Sequence, residues 1–80
     1  MKIEYSAEFK KQYQKLPLEI QKSATKQLTI FLKNPRHPSL NTKKLKGQNN
    51  LWQGRISKSY RFVFFIENNL YKLISIFHHK

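Results

Sequence analysis

The chain has no cysteine, so it offers neither a disulfide framework nor a thiolate metal site. That fits a reducing compartment, and the cytoplasm is the expected location. Acids are nearly absent too. Glu4, Glu8, Glu19 and Glu67 are the four in the chain, and they fall on different predicted elements. A two-metal nuclease needs clustered carboxylates, so that chemistry is set aside. His78 and His79 are adjacent, and neighbours on a strand point to opposite faces, so they do not readily chelate together. Neither a metal nor a small-molecule cofactor is expected. No stretch approaches the roughly 18 apolar residues of a membrane span, and MKIEYSAEFK does not read as a signal peptide. Neither predicted helix sets a basic face against a Trp- and Leu-rich one, so a membrane is not an expected partner.

What the chain does have is positive charge. Sixteen Lys and Arg stand against the four acids, a formal net charge of +12 in 80 residues. So many like charges repel one another in the compact state. A polyanion offsets that cost, and nucleic acid is the foremost candidate, through phosphate neutralisation and counterion release. Eighty residues make one domain, spanning 1–80. A chain this short buries only roughly 60–65% of its unfolded surface. Hydrophobic residues make up 39% and aromatics 14%, enough for one core with aromatics supplying much of its area.

Lys2 to Tyr5 reads as a short strand. Ser6 suits a helix N-cap and Glu8 the first turn, and Phe9, Tyr13 and Leu16 recur at helical spacing. Pro17 ends that helix and suits the start of the next. Ile20, Ala24, Leu28, Phe31 and Leu32 then mark one face, and Asn34-Pro35 stops the helix. Residues 34–50 read as a loop with a basic run at Lys43, Lys44 and Lys46. From there the period is two. Strands are predicted over Leu51–Ser57, Tyr60–Glu67 and Leu70–His78, with turns at Lys58-Ser59 and Asn68-Asn69. The β-α-α-β-β-β order predicts an α+β fold, a helical hairpin on one face of a mostly antiparallel sheet, leaving the other face as a working surface. Phe62, Phe64, Ile66, Ile74 and Ile76 are the expected strand core. Trp52 and Tyr60 are expected to pack, and His37 to lie in a loop.

If such a chain cuts nucleic acid without a metal, RNA permits it, because the 2′-hydroxyl can attack the neighbouring phosphate. The protein then supplies a base, cations for the phosphorane and an acid for the leaving oxygen. Histidine as a residue type suits proton transfer near neutrality, and arginine suits phosphate oxygens. Near the predicted sheet the chain offers Lys43, Lys44, Lys46, Arg55, Lys58, Arg61, His78 and His79.

The order L-K-G (45–47), W-x-x-R-I (52–56), Y-R-F-V-F (60–64) and a terminal H-H-K, with F-K-K-x-Y-x-K-L-P at 9–17, resembles the RelE/ParE toxin superfamily of type II toxin–antitoxin systems. The near-terminal histidine resembles the YoeB/Txe-like branch. The resemblance covers nearly the whole chain. It implies a RelE-like fold and a metal-independent endoribonuclease (mRNA interferase) acting on message in the ribosomal 30S decoding site. It also implies inhibition by a cognate acidic antitoxin. By that resemblance Arg61 matches the arginine at the scissile phosphate, and His79 the general acid. Lys43 stands where the branch has a glutamate base. Lys44, Lys46, Arg55 and Lys58 are the expected RNA-binding residues. The ParE-type alternative binds DNA gyrase and cuts nothing, and a catalytically inactive RNA-binding module is a third reading.

The residues leave one choice open. A two-residue turn at Asn68-Asn69 places His78, not His79, on the face of Arg61, whereas a bulge or a three-residue turn restores His79. His79 is the first choice and His78 the alternative.

Overall fold

A computed structural model describes residues 2–47 and 50–79. Strand β1 (Lys2–Tyr5) leads into helices α1 (Ala7–Lys15) and α2 (Leu18–Lys33). A 3-10 turn at Pro38–Leu40 precedes β2 (Lys43–Lys44), β3 (Leu51–Arg55), β4 (Tyr60–Glu67) and β5 (Leu70–His78). The five strands form one sheet in the order β1-β5-β4-β3-β2. β1 runs parallel to β5, and the other three pairings are antiparallel. The expected α+β architecture is therefore the one observed, with β2 added at an edge.

The helix boundaries follow from local chemistry. Ser6 has extended dihedrals, and its Oγ accepts a hydrogen bond from Phe9 N at 2.9 Å, satisfying one of the free donors of the first turn. Leu16 is extended, as a residue before proline prefers, and α2 begins just after Pro17. Across the hairpin, Tyr13 Oη and Thr25 Oγ1 are 2.7 Å apart, and Gln21 Nε2 donates to Tyr13 O at 2.9 Å.

Both helices cover one face of the sheet. Phe31 of α2 stands edge-on to Phe62, Phe64 and Tyr71, with ring centroids 5.4, 4.9 and 5.7 Å away. Each such pair is worth about 0.5–1.5 kcal/mol beyond area burial. Gly54 lies opposite Phe62 in the β3–β4 register, and a Cβ there would run into the Phe62 ring. Glycine is needed at that point because the ring lies against the backbone itself. Gln27 is a buried polar side chain whose Nε2 donates to Ser39 O at 3.0 Å and Arg55 O at 2.9 Å. It ties α2 to the 3-10 turn and to the end of β3.

One irregularity governs the sheet. Glu67 pairs with Leu70 and Phe64 with Leu73, but Val63 pairs with Ser75. Ile74 is therefore an extra residue, a β-bulge. The bulge is held from α1. Ser6 Oγ donates to Ile74 O at 2.6 Å, Ser6 N donates to Leu73 O at 2.9 Å, and Ile76 N donates to Gln12 Oε1 at 2.7 Å. The gain is apolar burial: Leu73 and Ile76 both enter the core, which no unbroken alternation allows.

Four expectations are corrected. Lys43–Lys44, read as loop, is an edge strand, because it finds hydrogen-bonding partners on β3 at Gln53 and Trp52. β3 stops at Arg55 rather than Ser57, since Ile56 N and Ser57 N both turn to Tyr60 O. Ile74 and Ile66 are only half-buried, and Leu73 takes the core position that the bulge opens. Leu32 is exposed. Gln48 and Asn49 of the predicted loop, and Lys80 of the terminal H-H-K, lie outside the described residues.

Replacing Ser6 by Ala removes the α1 cap and leaves Ile74 O without its partner, a combined cost of about 2 kcal/mol. For a domain of this size that is a fall in Tm of about 10 °C, while Ser6→Thr retains most of the stability. Thermal unfolding followed by circular dichroism measures both. A loss under about 2 °C for Ser6→Ala would mean that the cap and bulge do not depend on this hydroxyl.

Candidate nucleic-acid interface

The face of the sheet turned away from the helices carries Arg55, Arg61 and Lys43, part of a positive charge that is spread over both helices as well. On β4 the alternation puts Phe62 and Phe64 under α2 and turns Arg61, Val63 and Phe65 the other way. The register then defines rows across the strands. Phe77 of β5, Arg61 of β4 and Arg55 of β3 form one row. Ser75, Val63, Gln53 and Lys43 form the next.

Two arginines sit directly opposite each other in the first row. Like charges at that spacing oppose sheet pairing by several tenths of a kcal/mol. Arg61 is positioned by backbone. Its Nη1 donates to Ser57 O, to Lys58 O at 3.1 Å and to Tyr60 O at 3.0 Å, so its guanidinium lies on the turn joining β3 to β4. Carbonyls orient the fork without neutralising it, and Nε and Nη2 are outside these three bonds. The turn therefore presents a fixed cation at one end of the open face.

The bulge sets the register of the last residues of β5. It moves Phe77 opposite Arg61 and His78 opposite Tyr60. His78 lies on the helix side, its ring edge-on to Tyr60 at 5.0 Å. His79 follows on the Arg61 side by alternation, and its N–H donates to Ser59 O of the same turn. Without the bulge the two would exchange faces. The structure thus brings Arg61, Arg55, the exposed Lys58 and the backbone of His79 together around the turn that joins β3 to β4.

The lysine run is divided. Lys43 pairs with Gln53 on the open face, two strands and two residues from Arg61, roughly 12 Å between backbones by standard sheet spacing. Lys44 pairs with Trp52 and so belongs to the helix side, and Lys46 is exposed beyond the end of β2. His37 is a loop residue as expected, its Nδ1 2.9 Å from Ser39 Oγ. Trp52 packs as expected, stacked on Phe64 at 6.5 Å. The four glutamates lie on β1, α1, α2 and β4, and among the described residues no three His, Asp or Glu gather.

Phe77, which stands outside the residues expected to act, is exposed beside Arg61. The signal was divided: alternation counted from Ile76 turns Phe77 outward, and alternation counted from Leu73 turns it toward the helices.

Replacing Arg55 by Thr removes half of the opposed pair while leaving the Gln27 bond to Arg55 O, which is backbone. Tm is expected to rise by a few degrees. Affinity for single-stranded RNA is expected to fall, with the slope of log K against log salt shallower by about 0.7. An unchanged salt slope would move the phosphate contact elsewhere.

The sequence matches no protein-family model and no curated protein. Solved structures do match over nearly the full length. A YoeB/ParE toxin from Agrobacterium tumefaciens superposes with a TM-score of 0.80 at 19% identity, covering 100% of each chain. The RelB–RelE antitoxin–toxin complex from Methanococcus jannaschii gives 0.81 at 18% identity, covering 94% of this chain and 88% of that one. The intact RelBE toxin–antitoxin complex of E. coli gives 0.75 at 21% identity, with 99% and 96% covered. The helical hairpin, the mixed five-stranded sheet and these superpositions establish that the chain has the RelE/ParE toxin fold.

Proposed function

We propose that the chain is the toxin of a type II toxin–antitoxin pair, a metal-independent endoribonuclease that cleaves messenger RNA on the ribosome. The observation that carries this reading is the bulge, which sets His79 on the face of Arg61 at the turn that holds the guanidinium. That geometry suits transesterification. The RNA 2′-hydroxyl attacks the adjacent phosphorus, and its proton passes to a base, for which Lys43 is the candidate. Arg61 stabilises the added negative charge on the phosphorane, with Arg55 beside it. The bond from phosphorus to the 5′-oxygen breaks, and His79 gives that oxygen its proton. The products are a 2′,3′-cyclic phosphate and a 5′-hydroxyl. Lys46 and Lys58 neutralise flanking phosphates, and Lys44 serves on the other side of the edge strand.

The partner reading follows from charge. A net charge of +12 calls for an acidic peptide that covers it at rest. Two of the three structures named above are complexes of a toxin with its antitoxin. An acidic protein is expected to co-purify with the tagged chain from its own host and to dissociate more readily as salt rises. Recovery of the chain alone at low salt would remove the main support for this partner.

Translation in vitro with primer-extension mapping of message ends tests the activity. Cuts at ribosome-occupied codons with 5′-hydroxyl ends are expected. Arg61→Ala is expected to lose about 10²–10³-fold in rate. His79→Gln is expected to lose about 10²–10⁴-fold, with His78→Gln close to the parent. Loss from His78→Gln alone would refute the assignment of the acid. One feature favours a second reading: Lys43 stands at the position where the YoeB-like branch has its glutamate base. Intact message together with lost supercoiling would select the gyrase-binding reading.

A further inference from the structure

We infer that Phe77 is a nucleobase-stacking residue, forming with Arg61 and Arg55 a subsite that takes one base and its neighbouring phosphate of a single-stranded RNA. The inference rests on the reading of RNA as substrate and adds the group that would grip the base.

Four large hydrophobic residues are exposed among the described residues: Tyr5, Leu18, Leu32 and Phe77. Leu18 and Leu32 belong to α2, and Tyr5 pairs with the core residue Leu73 on the helix side. Phe77 alone of the four lies on the open face. Its exposure has a structural origin. In the unbulged register Phe77 would follow Leu73 at even spacing and turn toward the helices. The bulge at Ile74 seats Ile76 in the core and turns Phe77 outward. An aromatic ring is thus displayed where the same sequence had a route to bury it.

Its neighbours say what it is displayed for. Phe77 is the cross-strand partner of Arg61, and Arg55 is the next residue in the row. Arg61 is anchored by Nη1 to the turn carbonyls, so it stands as a fixed charge beside the ring. A π-face beside guanidinium groups that meet no carboxylate among the described residues is the combination that binds single strands: stacking on the base, charge on the phosphate. An apolar protein anchor needs no opposed arginines beside it, and a phosphate site alone needs no ring. Ser75, two residues along β5 on the same face, offers a hydroxyl toward a base edge.

The test uses a 2′-O-methyl oligonucleotide, which lacks the nucleophilic hydroxyl and stays intact, alongside an abasic oligomer of equal length and charge. The chain has one tryptophan, Trp52, on the helix side against Phe64, so Phe77→Trp adds a reporter on the open face. Its added fluorescence is expected to be quenched by the oligonucleotide and not by the abasic strand. Phe77→Leu keeps an apolar side chain but no ring, and is expected to weaken oligonucleotide binding about 5- to 100-fold while leaving abasic binding unchanged. Phe77→Tyr is expected to retain parental affinity. Equal quenching by both strands, or no quenching, would overturn the subsite, as would parental affinity in Phe77→Leu. Failure of the nuclease reading is distinguishable, since it would appear as uncleaved message with the parent chain whatever the binding of the intact oligonucleotide.

Discussion

The β-bulge at Ile74 is the constraint on which the rest depends. It settles which half of β5 faces the core, and therefore what the open face displays. Its own support comes from far away in sequence: Ser6 caps α1 with the same oxygen that donates to Ile74 O, and Gln12 takes up Ile76 N. The start of α1, the parallel pairing of β1 with β5 and the orientation of the last strand are one linked arrangement. Contacts separated by 64 and 68 residues hold it, so it forms only once the two ends of the domain have met. The candidate site inherits that cooperativity, because Phe77 and His79 both lie beyond the bulge.

The charge has to be set against a small core. Phe31, Phe62, Phe64, Leu40 and Leu73 are its largest fully buried side chains, and the aromatic edges around Phe31 supply directional packing that a chain of this size needs. Gly54 belongs to the same economy, since giving up a side chain on β3 lets Phe62 lie flush and deepens the core. Against this, Arg55 and Arg61 oppose each other across the β3–β4 pair. Stability is conceded on the open face and recovered under the helices.

Much of this was legible in the sequence, and the reasons are local. The Ser6 cap, Pro17 and Asn34-Pro35 punctuate the helices by dihedral and hydrogen-bond chemistry contained within a few residues. The strands β4 and β5 follow from a period of two on either side of Asn68-Asn69. What was not legible is what a segment owes to distant partners. Lys43–Lys44 carries no strand pattern of its own and becomes one by pairing with β3. Gln27 is polar by type, yet it is buried because carbonyls of Ser39 and Arg55 meet it there. Leu73-Ile74-Ser75-Ile76-Phe77 supports two alternations equally well, and the choice is made by Ser6 and Gln12. The histidine ambiguity has that cause.

A chain with four acids faces a further problem: it has few carboxylates with which to orient its arginines. An arginine held by a carboxylate also loses its field at a distance, since the pair is nearly neutral. Here the turn 57–60 holds it with backbone carbonyls, which fix the guanidinium through Nη1 without a carboxylate among the described residues. Preorganisation of this kind reduces the conformational entropy lost on meeting an anion and keeps the full electrostatic attraction. The same turn accepts His79 N–H through Ser59 O, so one short segment positions both a cation and the residue that follows the last strand. Scarcity of acid is thus tied to the site as well as to the overall charge. A carboxylate introduced near this turn would compete with phosphate for Arg61, and the composition of the chain avoids that competition.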